Sequence, residues 1–368
     1  MSRNISTYFI FGLLAVSVAI TGCETEVELT APYKATPVIT AVLNPTADTQ
    51  FVRINKTFLG EGDVNAYAGI KDSVEYELGE VDAWLYKFNG TNLTDSFELL
   101  PIDIPSRNPG VFYDTDVRMY YTAEEIFDPN ELTNIRDFSY ELRAKIRGTV
   151  YTARTDFARV TESDISNPPQ NQQGTDPNRL QLARIGGAGA FPQPVNVNFV
   201  FTARPGGTRY NGEFVLVYDE VLTDGTVTEN KELRFNAGVF NLADGASGGQ
   251  RDFNFNARNW FQFAGNHFDN VPNLSEVRIH RVIHRLTVAN RDLTSYISVA
   301  SPVSEFVPVF TQFTNFDNGA IGILGSIGQI DRIQWLDENS LNYLNNSEET
   351  GGTSFCVQWV GGTSYGCN

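Results

Sequence analysis

Polar and apolar residues alternate with period two along most of this chain. Phe138, Tyr140, Leu142, Ala144 and Ile146 alternate with Ser139, Glu141, Arg143, Lys145 and Arg147. This is the pattern of a strand with one face packed and the other wet. Gly148 then permits a turn into a second run, 150–157, which predicts a hairpin. Runs of the same kind predict strands at 38–43, 51–58, 81–88, 195–201, 213–222 and 233–239, with a tight turn at Asp224-Gly225. Residues 277–288 are β-branched and arginine-rich and read as a strand with one well-solvated face. Helical periodicity is scarce. Short helices are expected at 123–127, at 293–300 with Asn290 or Asp292 as the cap, and at 337–344.

The pattern therefore predicts a mainly all-β chain with a few short helices. One stretch, 163–178, is rich in Pro, Asn and Gln and lacks apolar periodicity, which marks it as a linker. It separates residues 36–162, where short strands and frequent turns predict an Ig-like β-sandwich, from 179–368, a second β-rich domain ending in a hairpin.

The N-terminus reads as a targeting segment. Residues 1–22 carry one charge, Arg3, followed by an apolar run at 8–20. That is an export signal, and it is short for a spanning helix, which needs roughly 20 apolar residues. It ends in Ile20-Thr21-Gly22-Cys23, which resembles the lipobox of bacterial lipoproteins. The resemblance implies removal of 1–22 and acylation of Cys23, with palmitate among the chains. Multiple acyl chains then tether the protein to a membrane without embedding it. Residues 23–35 form an acidic tether. Glu24, Glu26 and Glu28 resemble the signal that sends Bacteroidota lipoproteins to the outer face of the outer membrane, and a merely solvated tether is the alternative.

Besides Cys23, the chain holds Cys356 and Cys367, an even pair in an exported chain and hence an expected disulfide. The local pattern agrees. Gly361-Gly362 lies between two strand-like runs, and counting outward from that turn sets position 356 opposite 367. No C-x-x-C is present to give the pair a redox role.

Composition narrows the function. With 368 residues, 41% hydrophobic and 19% charged, the chain is too apolar to be disordered. A formal net charge of −17 without a basic patch argues against nucleic acid as a partner. No cofactor is expected, because there is no Walker loop or dinucleotide fingerprint. Gly245-Ala246-Ser247-Gly248-Gly249 matches the G-x-S-x-G nucleophile pattern. It lacks the preceding apolar strand and following helix which that chemistry needs, so a loop is expected. His280 and His284 are four apart, but on a strand they stand about 13 Å from each other, too far to share an ion. The loop acids Glu61, Asp63, Asp114 and Asp116 do not fit an EF-hand, and no metal site is expected. His267 is a lone histidine among aromatics. The segment 254–263 interleaves aromatics with amides and is read as a strand. Trp260 and Phe261 within it, with Trp335 further on, are candidates for ligand or partner contact, against a plain core role. Asp72-Ser73-Val74 resembles a Bacteroidota O-glycosylation acceptor in an exposed loop.

Taken in order, these features resemble the Bacteroidota outer-membrane lipoproteins of unassigned function often encoded beside TonB-dependent transporters. The likeness rests on the lipobox, a Pro-led first strand at 37–43, strands at 51–57 and 81–86, Gly110-Val111-Phe112-Tyr113, the strand at 140–146 and the Asn- and Gly-rich stretch 314–325. The chain departs from that pattern in the long stretch 60–80 and in its clasped C-terminal hairpin. The resemblance carries no catalytic residues. It implies a non-enzymatic, surface-exposed lipoprotein associated with an outer-membrane β-barrel in nutrient uptake. The rival readings are a stand-alone glycan- or peptide-binding lipoprotein and an accessory factor of outer-membrane protein assembly or secretion. An enzyme would need a deep pocket holding two carboxylates or a serine–histidine pair.

Overall fold

A computed structural model describes residues 35–58, 64–105, 110, 113, 115–127, 138–158, 160–169, 179–242, 249–300, 313–350, 353–358 and 366–367. The chain runs β1 (Pro37–Leu43), β2 (Gln50–Lys56), the short helices α1 (Val64–Ala68) and α2 (Lys71–Val74), then β3 (Val81–Asn89), β4 (Asn92–Pro105), β5 (Asp116–Thr122), β6 (Phe138–Ile146) and β7 (Thr149–Asp156). Next come β8 (Ile165–Asn167), β9 (Arg179–Leu180), β10 (Ala183–Arg184), β11 (Gln193–Pro194), β12 (Asn196–Ala203), β13 (Arg209–Leu222), β14 (Val227–Asn241) and β15 (Gly249–Asn256). Helix α3 (Ala257–Phe268), β16 (Leu274–Ala289), α4 (Arg291–Ala300), β17 (Ile321–Leu336), α5 (Glu338–Asn346) and β18 (Ser354–Val357) complete it.

The expected strands form, and alternation decides which face each one buries. In β6 the residues Tyr140, Leu142, Ala144 and Ile146 point inward. The β6–β7 turn uses Arg147 and Gly148, both at positive φ, the geometry that suits the twist of a two-residue hairpin. The segment 123–127 is irregular rather than helical. Ile126 and Phe127 are buried there, and the Tyr140 hydroxyl donates to the Ile126 carbonyl, so tertiary contacts hold the segment in place of helical bonds.

The sandwich expected of 36–162 is present. One layer is the first half of β17, then β1, β2, β5 and the end of β4; the other is the start of β4, then β3, β6 and β7. β4 turns the corner, pairing with β3 up to Leu99 and with β5 from Leu100. Ile39, Leu43, Val52, Ile54 and Tyr120 of the first layer share one core with Leu85, Leu142 and Ala144 of the second.

That sandwich is completed from outside its own range. β17 lies parallel to β1, in register from Val38–Ile321 to Leu43–Ser326, and its second half pairs antiparallel with β16. One strand path thus runs from β14 through β13, β16 and β17 into the sandwich, and Thr36–Asn368 forms one compact unit. Neither sheet nor core stops at the expected boundary: Phe316, Ala320 and Leu324 pack into the sandwich, and Ala158 packs with Phe199 and Phe201. Part of the expected linker is built structure: Ile165 is buried in β8, and fully buried Asp164 accepts from Arg204 Nε. Residues 170–178 lie outside the described residues.

In the C-terminal half, one face of β13, β16 and β17 packs against α3, α5 and the smaller β15–β12–β8 sheet. Phe214, Leu216, Val282, Trp260 and Phe268 fill the first of these contacts, and Phe199, Phe201, Phe253 and Leu286 the second.

Candidate functional site

The sequence-derived site residues meet different fates. Cys23, Glu24, Glu26 and Glu28 lie outside the described residues. Cys356 and Cys367 are joined in a disulfide. The expected Gly361-Gly362 turn lies outside the described residues, while Cys356 sits on β18, which runs parallel to β16. Among the described residues, the one grouping of metal-type ligands is Glu276 with Cys356 and Cys367, and both of its sulfurs are consumed by the disulfide.

Trp260 and Phe261 do not offer a surface. The strand expected over 254–263 ends at Asn256, whose side chain accepts from Arg258 N and caps α3. The helix turns both rings fully into the core, where Trp260 meets Phe214 edge-on and Phe261 lies 4.4 Å from the Tyr343 ring. Trp335 is half-buried on β17, in register with Arg179 of β9. His267 Nε2 lies 3.1 Å from the Tyr218 hydroxyl.

The two histidines of β16 stay apart. A bulge at His280 shifts the register between Val217 and Tyr218 of β13, so Val277 and Ile279 before it share the inner face with Val282 and His284 after it. His280 Nε2 pairs with Asp219 at 2.8 Å, whereas His284 turns inward. The acids Glu61, Asp63 and Asp114 lie outside the described residues, and Asp116 is held by the Lys71 ammonium at 2.7 Å. Of the G-x-S-x-G match only Gly249 is described, and it opens strand β15 where a nucleophile elbow needs a helix. Asp72-Ser73-Val74 belongs to α2 rather than a loop, with Val74 buried.

Two features emerge that the sequence did not single out. The first is an apolar sheet face on the sandwich. Cross-strand register lines up Phe51, Tyr121 and Leu100 in one row, Met119 and Ile102 in the next, and Val117 and Ile104 in the third. Their chain neighbours Val52 and Tyr120 point into the core, so these side chains point out of it. Phe51, Leu100, Ile102 and Ile104 are 37–50% exposed, and Phe51 and Tyr121 stack at 6.2 Å. Exposed apolar side chains gathered in this way mark a candidate contact surface.

The second is a polar pocket of about 330 Å³ between the small sheet and the inner face of β16 and β17. Asn167, Arg179, Gln181, Asn196, Asn198, His284 and Gln334 supply its polar lining, backed by Pro168, Pro169, Leu180 and Val197. The ring of His284 packs edge-on against Phe199 and Phe214, with centroids 5.4 and 5.0 Å away. Burial pushes its imidazole down to about 3, against a smaller upward pull from the adjacent Gln334 side chain, so it is neutral at pH 7. Among the described residues, neither His284 Nε2 nor Gln334 Oε1 has a hydrogen-bond partner, and both residues are over nine-tenths buried.

No family model matches this chain, and a search of curated proteins finds no match.

Proposed function

We propose that this chain is a non-catalytic lipoprotein, held at the outer face of the outer membrane through Cys23, that docks as an accessory subunit on a β-barrel such as a TonB-dependent transporter. The observation that carries this reading is the apolar sheet face of β2, β4 and β5. Aromatic and Met side chains, which the face holds in Phe51, Tyr121 and Met119, are enriched in protein–protein interfaces. Fully extended, the stretch 24–36 reaches at most about 45 Å from the anchor, which keeps the folded unit near an outer-membrane partner.

The test is purification of the tagged, lipidated full-length protein in mild detergent, with mass spectrometry of what accompanies it. A stoichiometric TonB-dependent barrel is expected. The double variant Leu100→Glu/Ile102→Glu should fold, judged by circular dichroism, and lose that barrel at least tenfold. Recovery of the lipoprotein alone, or a barrel retained by the variant, overturns the proposal. An assembly or secretion barrel in its place reassigns the chain to envelope biogenesis.

A further inference from the structure

The pocket above His284 stands apart from the apolar sheet face and raises a separate question. Buried polar atoms without partners are uncommon, because each costs about 1–3 kcal/mol of lost solvation. Here two of them, His284 Nε2 and Gln334 Oε1, belong to side chains lining one cavity. Around them stand amide groups, which donate and accept equally well. Some of these are already engaged. Asn167 Nδ2 donates to the Asn198 carbonyl, Asn256 Nδ2 donates to Asn196 Oδ1, and Gln181 Nε2 donates to Asp337 Oδ2 at 3.3 Å.

The lining narrows the ligand class. No carboxylate lines the pocket, which disfavours a cation. Arg332, opposite His284 in the β16–β17 register, donates to the Glu162 and Ile165 carbonyls, while Arg179 lines the pocket and lies 3.8 Å from exposed Glu338. A chain of net charge −17 also repels anions at long range. A carboxylate would answer only donors and an ammonium only acceptors. A pair of neighbouring hydroxyls answers His284 Nε2 and Gln334 Oε1 in either imidazole tautomer and either amide orientation. The volume is about tenfold that of one water molecule and lies at the lower end of small-ligand pockets. Pro168, Pro169 and Val197 give an apolar backing for the ring of a polyol.

We propose that this pocket binds a neutral, hydroxyl-rich ligand of monosaccharide size, as a free sugar or a terminal glycan residue, with His284 and Gln334 holding adjacent hydroxyls at its base.

The experiment uses the full-length protein in a detergent without a sugar headgroup. Saturation-transfer NMR is run with glucose, galactose, mannose, fucose, N-acetylglucosamine and N-acetylgalactosamine, with acetate and phosphate as competitors, and a glycan array follows. At least one neutral sugar, free or on the array, should bind. His284→Phe, which keeps the ring and its contacts with Phe199 and Phe214, should weaken that binding at least tenfold. Gln334→Met should do the same, and unchanged near-UV circular dichroism would show that both variants stay folded. Displacement by acetate or phosphate at equal concentration overturns the neutral class. Binding of no probe identifies the occupant as ordered water only and overturns the proposal, as does sugar binding that both variants retain. None of these outcomes depends on whether a barrel partner is found.

Discussion

Asn290 carries more of this structure than any exposed charge. It is 3% exposed, and its amide makes four bonds. Nδ2 donates to Thr155 Oγ1 and the Asp156 carbonyl, while Oδ1 accepts from Leu293 N and Ser326 N. One side chain thus caps α4 and ties β7 to β17. Asn290→Ala should lower stability by about 3 kcal/mol, because it strands several buried partners at once, and urea unfolding would measure it. His284 sets a pH dependence with a defined sign. Its folded pKa of about 3 lies below the ordinary 6.5, so below pH 6.5 the unfolded chain takes up a proton that the folded chain refuses. The stability it confers is whole above that pH and is lost as pH falls toward 3. Relative to His284→Phe, the native protein should lose about 3 kcal/mol between pH 7 and pH 4 in parallel urea titrations.

At the scale of elements, the strands of β1, β2, β3, β6 and β7 were legible because each has one wet face and so alternates. β17 was not, and its residues show why. It reads Ile321-Gly322-Ile323-Leu324-Gly325-Ser326-Ile327-Gly328, a stretch poor in strand propensity. Its glycines answer to packing: an added Cβ at Gly322 would lie 1.8 Å from the Ile39 carbonyl oxygen, and at Gly328 2.5 Å from that of Ala158. Gly322 also sits at φ 128°. Gly322→Ala should therefore part β1 from β17 and cost at least about 3 kcal/mol, read as a shift of the urea midpoint. The helix α3, by contrast, was legible and was missed. Ala257, Trp260, Phe261, Ala264 and Phe268 recur at the spacing of one helical face, and Asn256 caps the start. The disulfide was readable from cysteine parity, since it needs no tertiary knowledge. The pocket and the apolar face were not, because each exists only through cross-strand register among segments distant in sequence.

For the whole molecule, the sandwich core and the C-terminal sheet depend on a shared strand. A fragment of residues 36–162 keeps its alternating patterns but lacks β17, Phe316, Ala320 and Leu324. It should show no cooperative thermal transition, whereas the intact chain should show one, in circular dichroism or calorimetry. Reduction of Cys356–Cys367 should be milder, lowering stability by roughly 3 kcal/mol for so short a loop.

The parallel pairing of β1 with β17 also sets a timetable for biogenesis. A chain made from its N-terminus presents β1 and its neighbour β2 early, but the strand that covers the other edge of β1 begins only at residue 321. At about 5–20 residues per second, β1 waits tens of seconds with an open edge and an unfinished core. Until that strand is available, the sandwich core lacks Ala320 and Leu324. A stop codon anywhere before β17 yields a polypeptide for the proteases, with no surviving half-protein.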